Sequence, residues 1–205
     1  MKIPNQRAFL RAMFKSAVML ISVLGVLACT PSKVSFNSVD ITGADYARDL
    51  TWQDKAGLTH HLQDYKGQLA LVFFGYTQCP DVCPSALSEL KTIKTSLGEQ
   101  GNKVKAFFVS VDPERDTPDV LAAYMANFGE DYTGVSLGDE ELKQAAKAYK
   151  VFYQKTPGPT PTSYGVEHTA GFYVYDTKGK LRLFVRYGTP VDSLTQDLKT
   201  LLEQT

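Results

Sequence analysis

The chain has 205 residues, 43% of them hydrophobic and 11% aromatic, a size and composition that suit one globular domain. Its 22 basic and 22 acidic side chains balance overall but not locally. The first 28 residues carry Lys2, Arg7, Arg11 and Lys15 and no acid, leaving the remainder four charges on the acidic side, without the basic stripe a nucleic-acid partner would require.

The leader has the anatomy of an export signal. A basic start is followed by an uncharged, mostly apolar stretch from Ser16 to Ala28, 13 residues long. That is short of the roughly 20 apolar residues a transmembrane helix needs. The stretch ends in Val26-Leu27-Ala28-Cys29, which resembles a bacterial lipoprotein box, with Cys29 the residue to be lipidated. The alternatives are a plain signal cleaved near Ala28 and an uncleaved anchor running past Cys29. All three export the body. Three segments are expected: a leader over 1–28, a Pro/Ser/Lys tether over 29–38 and a folded domain over 39–205.

Strand-like pieces at Leu50–Trp52 and Leu58–Leu62 suggest an N-terminal hairpin. After the Gly67 turn, Leu69-Ala70-Leu71-Val72-Phe73-Phe74 reads as a strand buried on both faces. A helix is expected from Pro84 to Leu97, with Leu87, Leu90, Ile93 and Leu97 on one face. Val104–Val111 reads as a second buried strand. Thr117-Pro118-Asp119 is a helix start, with Thr to cap, Pro for the first turn and Asp for the positive end. That helix should reach Asn127, and another should span Glu140–Tyr149, followed by a Pro-rich loop over Thr156–Thr162. Gly171–Tyr175 and Leu181–Tyr187 flank the turn Asp176-Thr177-Lys178-Gly179 as an antiparallel hairpin. Leu194, Leu198, Leu201 and Leu202 mark a final amphipathic helix. The order β-α-β-α-α-β-β-α predicts a thioredoxin-like α/β sandwich, a central mixed sheet flanked by helices.

With Cys29 set aside, two cysteines remain, Cys79 and Cys83, with three residues between them. A disulfide-stapled fold would spread more cysteines along the chain, so this pair points to redox or metal chemistry. The pair lies where the first central strand ends and a helix begins. Cys83, just before Pro84, should sit at the helix N-terminus, where thiolate is favoured. Two thiolates select Cu(I), with zinc as competitor, and a third ligand would admit Cu(II). A plain stabilising disulfide is the alternative, disfavoured because closing so short a loop gains little chain entropy. On spacing alone His168, in Val166-Glu167-His168-Thr169-Ala170-Gly171, reads as a surface or capped side chain, as do His60 and His61. Asp112, Glu114, Arg115 and Asp116 form a dense charged turn, either a solvated loop or an element supporting a site.

Three segments carry a family resemblance. Phe74-Gly75-Tyr76-Thr77-Gln78-Cys79-Pro80-Asp81-Val82-Cys83-Pro84, Val111-Asp112-Pro113-Glu114-Arg115-Asp116-Thr117-Pro118 and Glu167-His168-Thr169 closely resemble, in order and spacing, the signature of the Sco/SenC copper proteins. The resemblance runs from about Thr51 to the C-terminus. It implies a thioredoxin fold holding Cu(I) or Cu(II) through Cys79, Cys83 and His168. It also implies copper delivery to, or thiol reduction at, the dinuclear copper A centre of cytochrome c oxidase subunit II or another cuproprotein. A copper-donor chaperone and a thioredoxin-like reductant are the further partners expected. Gln78 stands where relatives often carry histidine and receives no ligand role, and Pro157–Pro161 is a local variation.

Two functions follow, a copper metallochaperone tethered to a membrane and facing the periplasm or extracytoplasmic space, and a thiol–disulfide oxidoreductase without a metal. A peroxiredoxin-type peroxidase fits poorly, because its Pro-x-x-x-Thr-x-x-Cys pattern fails in both registers. Aligned on Cys79 the proline and threonine positions hold Val72 and Tyr76, and aligned on Cys83 they hold Tyr76 and Pro80.

Overall fold

A computed structural model describes residues 34–158, 160 and 163–204. The leader, Cys29, the first part of the tether, and Pro159, Pro161 and Thr162 of the Pro-rich stretch lie outside the described residues. Among those described, no helix is long and apolar enough to cross a membrane.

The alternation of Leu69, Leu71 and Phe73 with Ala70, Val72 and Phe74 buries both faces of β4 (Leu69–Gly75), and this strand organises the molecule. Parallel to it lies β5 (Val104–Ser110), and parallel to β5 lies β6 (Tyr132–Val135). On the other side β9 (Gly171–Tyr175) pairs antiparallel with β4, then β10 (Leu181–Arg186) with β9, and β1 (Val39–Asp40) with β10. The six-stranded order is β1-β10-β9-β4-β5-β6, a mixed sheet. Two hairpins stand apart from it, β2 (Thr51–Gln53) with β3 (Thr59–His61), and β7 (Tyr153–Pro157) with β8 (Tyr164–His168).

Helices α1 (Val82–Ser96), α2 (Pro118–Ala126) and α4 (Val191–Glu203) cover one face, burying Leu87, Leu90, Ile93, Leu121, Leu198 and Leu201 against Leu71, Phe73 and Phe108. On the other face α3 (Asp139–Tyr149) and both hairpins pack Leu142, Tyr149, Trp52 and Val166 onto Val72, Phe74 and Phe107. The sandwich, the N-terminal hairpin and the β9–β10 hairpin match the sequence expectation. Thr117 caps α2 as expected, its hydroxyl accepting from the Val120 N–H at 3.4 Å.

Four expectations need correction. Helix α1 starts at Val82, two residues before Pro84. Proline is tolerated there because the first four helical N–H groups have no partner within the helix, and the first bond of the ladder comes from Ser85 to the Asp81 carbonyl at 3.1 Å. Between α2 and α3 lies β6, which has no continuous apolar run to announce it. The Pro-rich stretch is partly strand, since Thr156 and Pro157 pair with Gly165 and Tyr164. His168 closes β8. Finally, Asn37 and Ser38, assigned to the tether, are bound to the body, their backbone N–H groups each donating at 2.8 Å to the buried Asp197 carboxylate on α4.

Candidate metal centre

At the end of β4, Gly75 leaves room for a sulfur. A Cβ at Gly75 would lie 2.8 Å from Cys83 Sγ and 2.8 Å from the Phe108 ring. Beyond it the Tyr76–Asp81 loop carries Cys79, and the first turn of α1 carries Cys83. Cys83 is fully buried under the sheet end, whereas Cys79 is half-buried. His168 reaches them from β8, across 85 residues of sequence, its Nε2 standing 3.5 Å from Cys83 Sγ. One donor atom from each of Cys79, Cys83 and His168 lies within 4.8 Å of the others. His60 and His61 lie elsewhere, on the β2–β3 hairpin beside Asp54 and Asp49.

These separations suit one ion. Metal–sulfur bonds are about 2.3 Å, so three donors around a trigonal ion stand roughly 4 Å apart. The imidazole orientation suits it too. His168 Nδ1 lies 3.1 Å from the Thr169 carbonyl, an acceptor only, so Nδ1 carries the proton and Nε2 turns its lone pair to the sulfurs. Phe73 and Tyr76 wall the ring edge-on, at 6.1 and 5.9 Å between centroids.

The two thiols are unequal. Cys79 is held down to about 5, because the Cys83 thiol donates to it and the Cys83 and Asp81 backbone N–H groups add to that, against the opposing effect of burial. Cys83 is pushed up, first by its contact with the Cys79 sulfur and then by burial. The expectation that Cys83 would be the thiolate is therefore overturned. The free N–H groups at the start of α1 point outward at Cys79 rather than at the buried sulfur behind them.

The charged turn after β5 exposes Glu114 but buries its two aspartates. Asp112 and Asp116 are fully buried. Asp116 accepts from Thr77 N–H at 3.0 Å, Thr77 Oγ1 at 2.6 Å and Ser110 Oγ at 2.7 Å, and so ties the cysteine loop to the end of β5. Asp112 pairs with Arg115 Nε and accepts from the Tyr164 hydroxyl at 2.8 Å. Gln78 is exposed and accepts from Arg115 Nη1 at 3.1 Å. Sequence reasoning left these roles open, and the buried Ser110 at the strand end escaped it altogether.

A mixed thioredoxin-like sheet with a dithiol and an imidazole gathered at one strand end defines the class. The SCO1/SenC family model matches residues 40–203, and the chain belongs to that family. It is 30% identical over 154 residues to the SCO2-like protein of Rickettsia felis, covering 74% of this chain and 75% of that protein. Among solved structures, copper-bound ScoI of Bradyrhizobium japonicum is 34% identical with a TM-score of 0.66, covering 75% of this chain and 98% of the other. Apo Sco1 of Thermus thermophilus is 33% identical with a TM-score of 0.72, covering 83% and 99%.

Proposed function

We propose that this protein is a copper metallochaperone that holds one copper ion through Cys79, Cys83 and His168. It passes the ion to the dinuclear copper A site of cytochrome c oxidase subunit II, or to another cuproprotein. The observation that carries the reading is the convergence of two sulfurs and a correctly oriented Nε2 within 4.8 Å. The copper-bound relative at 34% identity supports it. Soft sulfur donors favour Cu(I), and the imidazole makes Cu(II) acceptable as well.

The geometry suggests an order of exchange. Cys79 and His168 are partly exposed, while Cys83 is buried, so an incoming thiolate or imidazole meets the ion on the Cys79 side and Cys83 lets go last. Uptake near neutral pH expels mainly the Cys83 proton, since Cys79 is already ionised. Mixing the copper-loaded protein with apo subunit II domain should move copper to the acceptor. An acceptor that stays empty while the donor keeps its metal would sink the proposal.

The same sulfurs support a second reading, favoured by the low thiol of Cys79. Its thiolate attacks a partner disulfide, whose S–S bond breaks as one partner sulfur leaves as thiolate. Cys83 then gives its proton to the departed partner thiolate and attacks Cys79, forming the Cys79–Cys83 disulfide and freeing the reduced partner. This reading expects reductase turnover to survive His168→Ala. The anchor belongs to the proposal too, as export with lipidation at Cys29 and a membrane tether facing the periplasm or extracytoplasmic space. Cys29→Ser should move the protein from the membrane to the soluble fraction.

A further inference from the structure

We infer that Arg115 is a positioning residue, its guanidinium joining the loop that carries Cys79 to the strand that carries His168. The inference rests on His168 being a copper ligand. The β7–β8 hairpin forms its own two-stranded sheet, and among the described residues no ladder bonds tie it to the six-stranded sheet. The main chain holds the hairpin only at its end, where Thr169 and Ala170 lead from His168 into β9, and side chains set how the rest of β8 stands against the cysteine loop. Arg115 contacts both parts at once. From Nη1 it donates to Gln78 Oε1 at 3.1 Å, one residue before Cys79, and to the Tyr164 carbonyl at 3.0 Å, at the start of β8. Its guanidinium lies 3.7 Å from the Tyr164 ring centroid and 5.6 Å from that of Tyr76, and Tyr76 itself packs on His168.

The orientation of the guanidinium is fixed from behind. Nε pairs with Asp112, which is fully buried and also accepts the Tyr164 hydroxyl at 2.8 Å. The exposed pair Lys155–Glu114, at 2.7 Å, adds a weaker link from β7 to the same turn. Tyr164, Val166 and His168 alternate onto one face of β8, so an anchor at Tyr164 fixes the register in which His168 is presented. A planar fork that donates in two directions while stacking on a ring cannot be replaced by the point charge of lysine.

The test compares wild type, Arg115→Lys and Tyr164→Phe as full chains. Metal-free, reduced protein is followed by hydrogen exchange, and Cu(II)-loaded protein by the nitrogen splitting of its electron paramagnetic resonance spectrum. Arg115→Lys should speed exchange in residues 164–169 at least tenfold while leaving β5 at the wild-type rate. It should also blur the imidazole nitrogen signal into several species. Tyr164→Phe keeps Asp112 paired with Arg115 and should show the same pattern more weakly, so it carries the comparison if Arg115→Lys fails to fold. Unchanged exchange in residues 164–169, or equal acceleration there and in β5, would overturn the inference. A wild-type copper spectrum without imidazole nitrogen would instead defeat the ligand reading, and the exchange comparison would still decide the role of Arg115 in holding the hairpin.

Discussion

Cys79 accepts the Cys83 backbone N–H at 3.4 Å and faces outward, while the Cys83 sulfur fills the space that a side chain at Gly75 would need. The two residues therefore divide the work, one a ready thiolate and the other a proton-bearing buried donor. A lowered thiol stays ionised as pH falls and loses reactivity only below its midpoint. In reduced, metal-free protein the alkylation rate of Cys79 by iodoacetamide should thus be flat from pH 8 to about 6 and halve near pH 5. Cys83→Ala removes the first of the stabilising donors and should move that midpoint upward. Gly75→Ala forces a methyl to within 2.8 Å of Cys83 Sγ and the Phe108 ring. Overpacking of this kind costs about 1–3 kcal/mol, readable by urea unfolding, and copper affinity should fall with it because the sulfur must move. The cysteine pair was legible in the sequence from its spacing and its place before a helix. Which sulfur is ionised was not, because that depends on where the backbone N–H groups point.

At the scale of elements, the turn Asp112–Asp116 acts as a buried bracket. Asp116 receives three hydrogen bonds, two from Thr77 and one from Ser110, and removing it orphans a backbone N–H and two hydroxyls. Asp116→Ala should cost roughly 3 kcal/mol or more in urea unfolding and loosen the cysteine loop. Asp116→Asn, which keeps an acceptor oxygen, should cost less. Sequence could not show this bracket, since Thr77 lies 39 residues from Asp116 and Tyr164 lies 52 from Asp112. The same distance problem hid His168, a lone histidine by spacing, which only the family resemblance joined to the cysteines. Strand β4 announced itself through its apolar run, and α2 through its cap and proline. Strand β6 did not, because Gly134 in its middle has no side chain and sits where α2 presses close, a Cβ there lying 2.8 Å from that of Leu121. Pro157 likewise disguised β7, since proline cannot donate to a ladder and reads as loop.

Taken whole, the molecule separates stability from chemistry. The apolar layers lie on both faces of the sheet, while the three donors gather outside the carboxyl ends of β4 and β5, where open sheets place ligands. Leu198 on α4 is fully buried in the layer that also holds Cys83, but it is neither one of the three donors nor one of the residues that orient them. Leu198→Ala should therefore lower unfolding stability by about 2–5 kcal/mol and leave copper affinity at the wild-type value when measured well below the unfolding midpoint. Copper should act in the opposite sense, raising the unfolding midpoint of wild type by binding the folded state and not that of Cys79→Ser/Cys83→Ser. The central claim is that two sulfurs and one imidazole from distant parts of the chain act as a single copper site. Anaerobic Cu(I) titration against a competing chelator, with Cys79→Ser, Cys83→Ser and His168→Ala alongside, tests it most directly. The expected result is one Cu(I) per wild-type chain, binding abolished by either cysteine change and weakened at least tenfold by His168→Ala. A wild-type protein that leaves copper with the chelator, or a His168→Ala variant that binds as tightly as wild type, would contradict it.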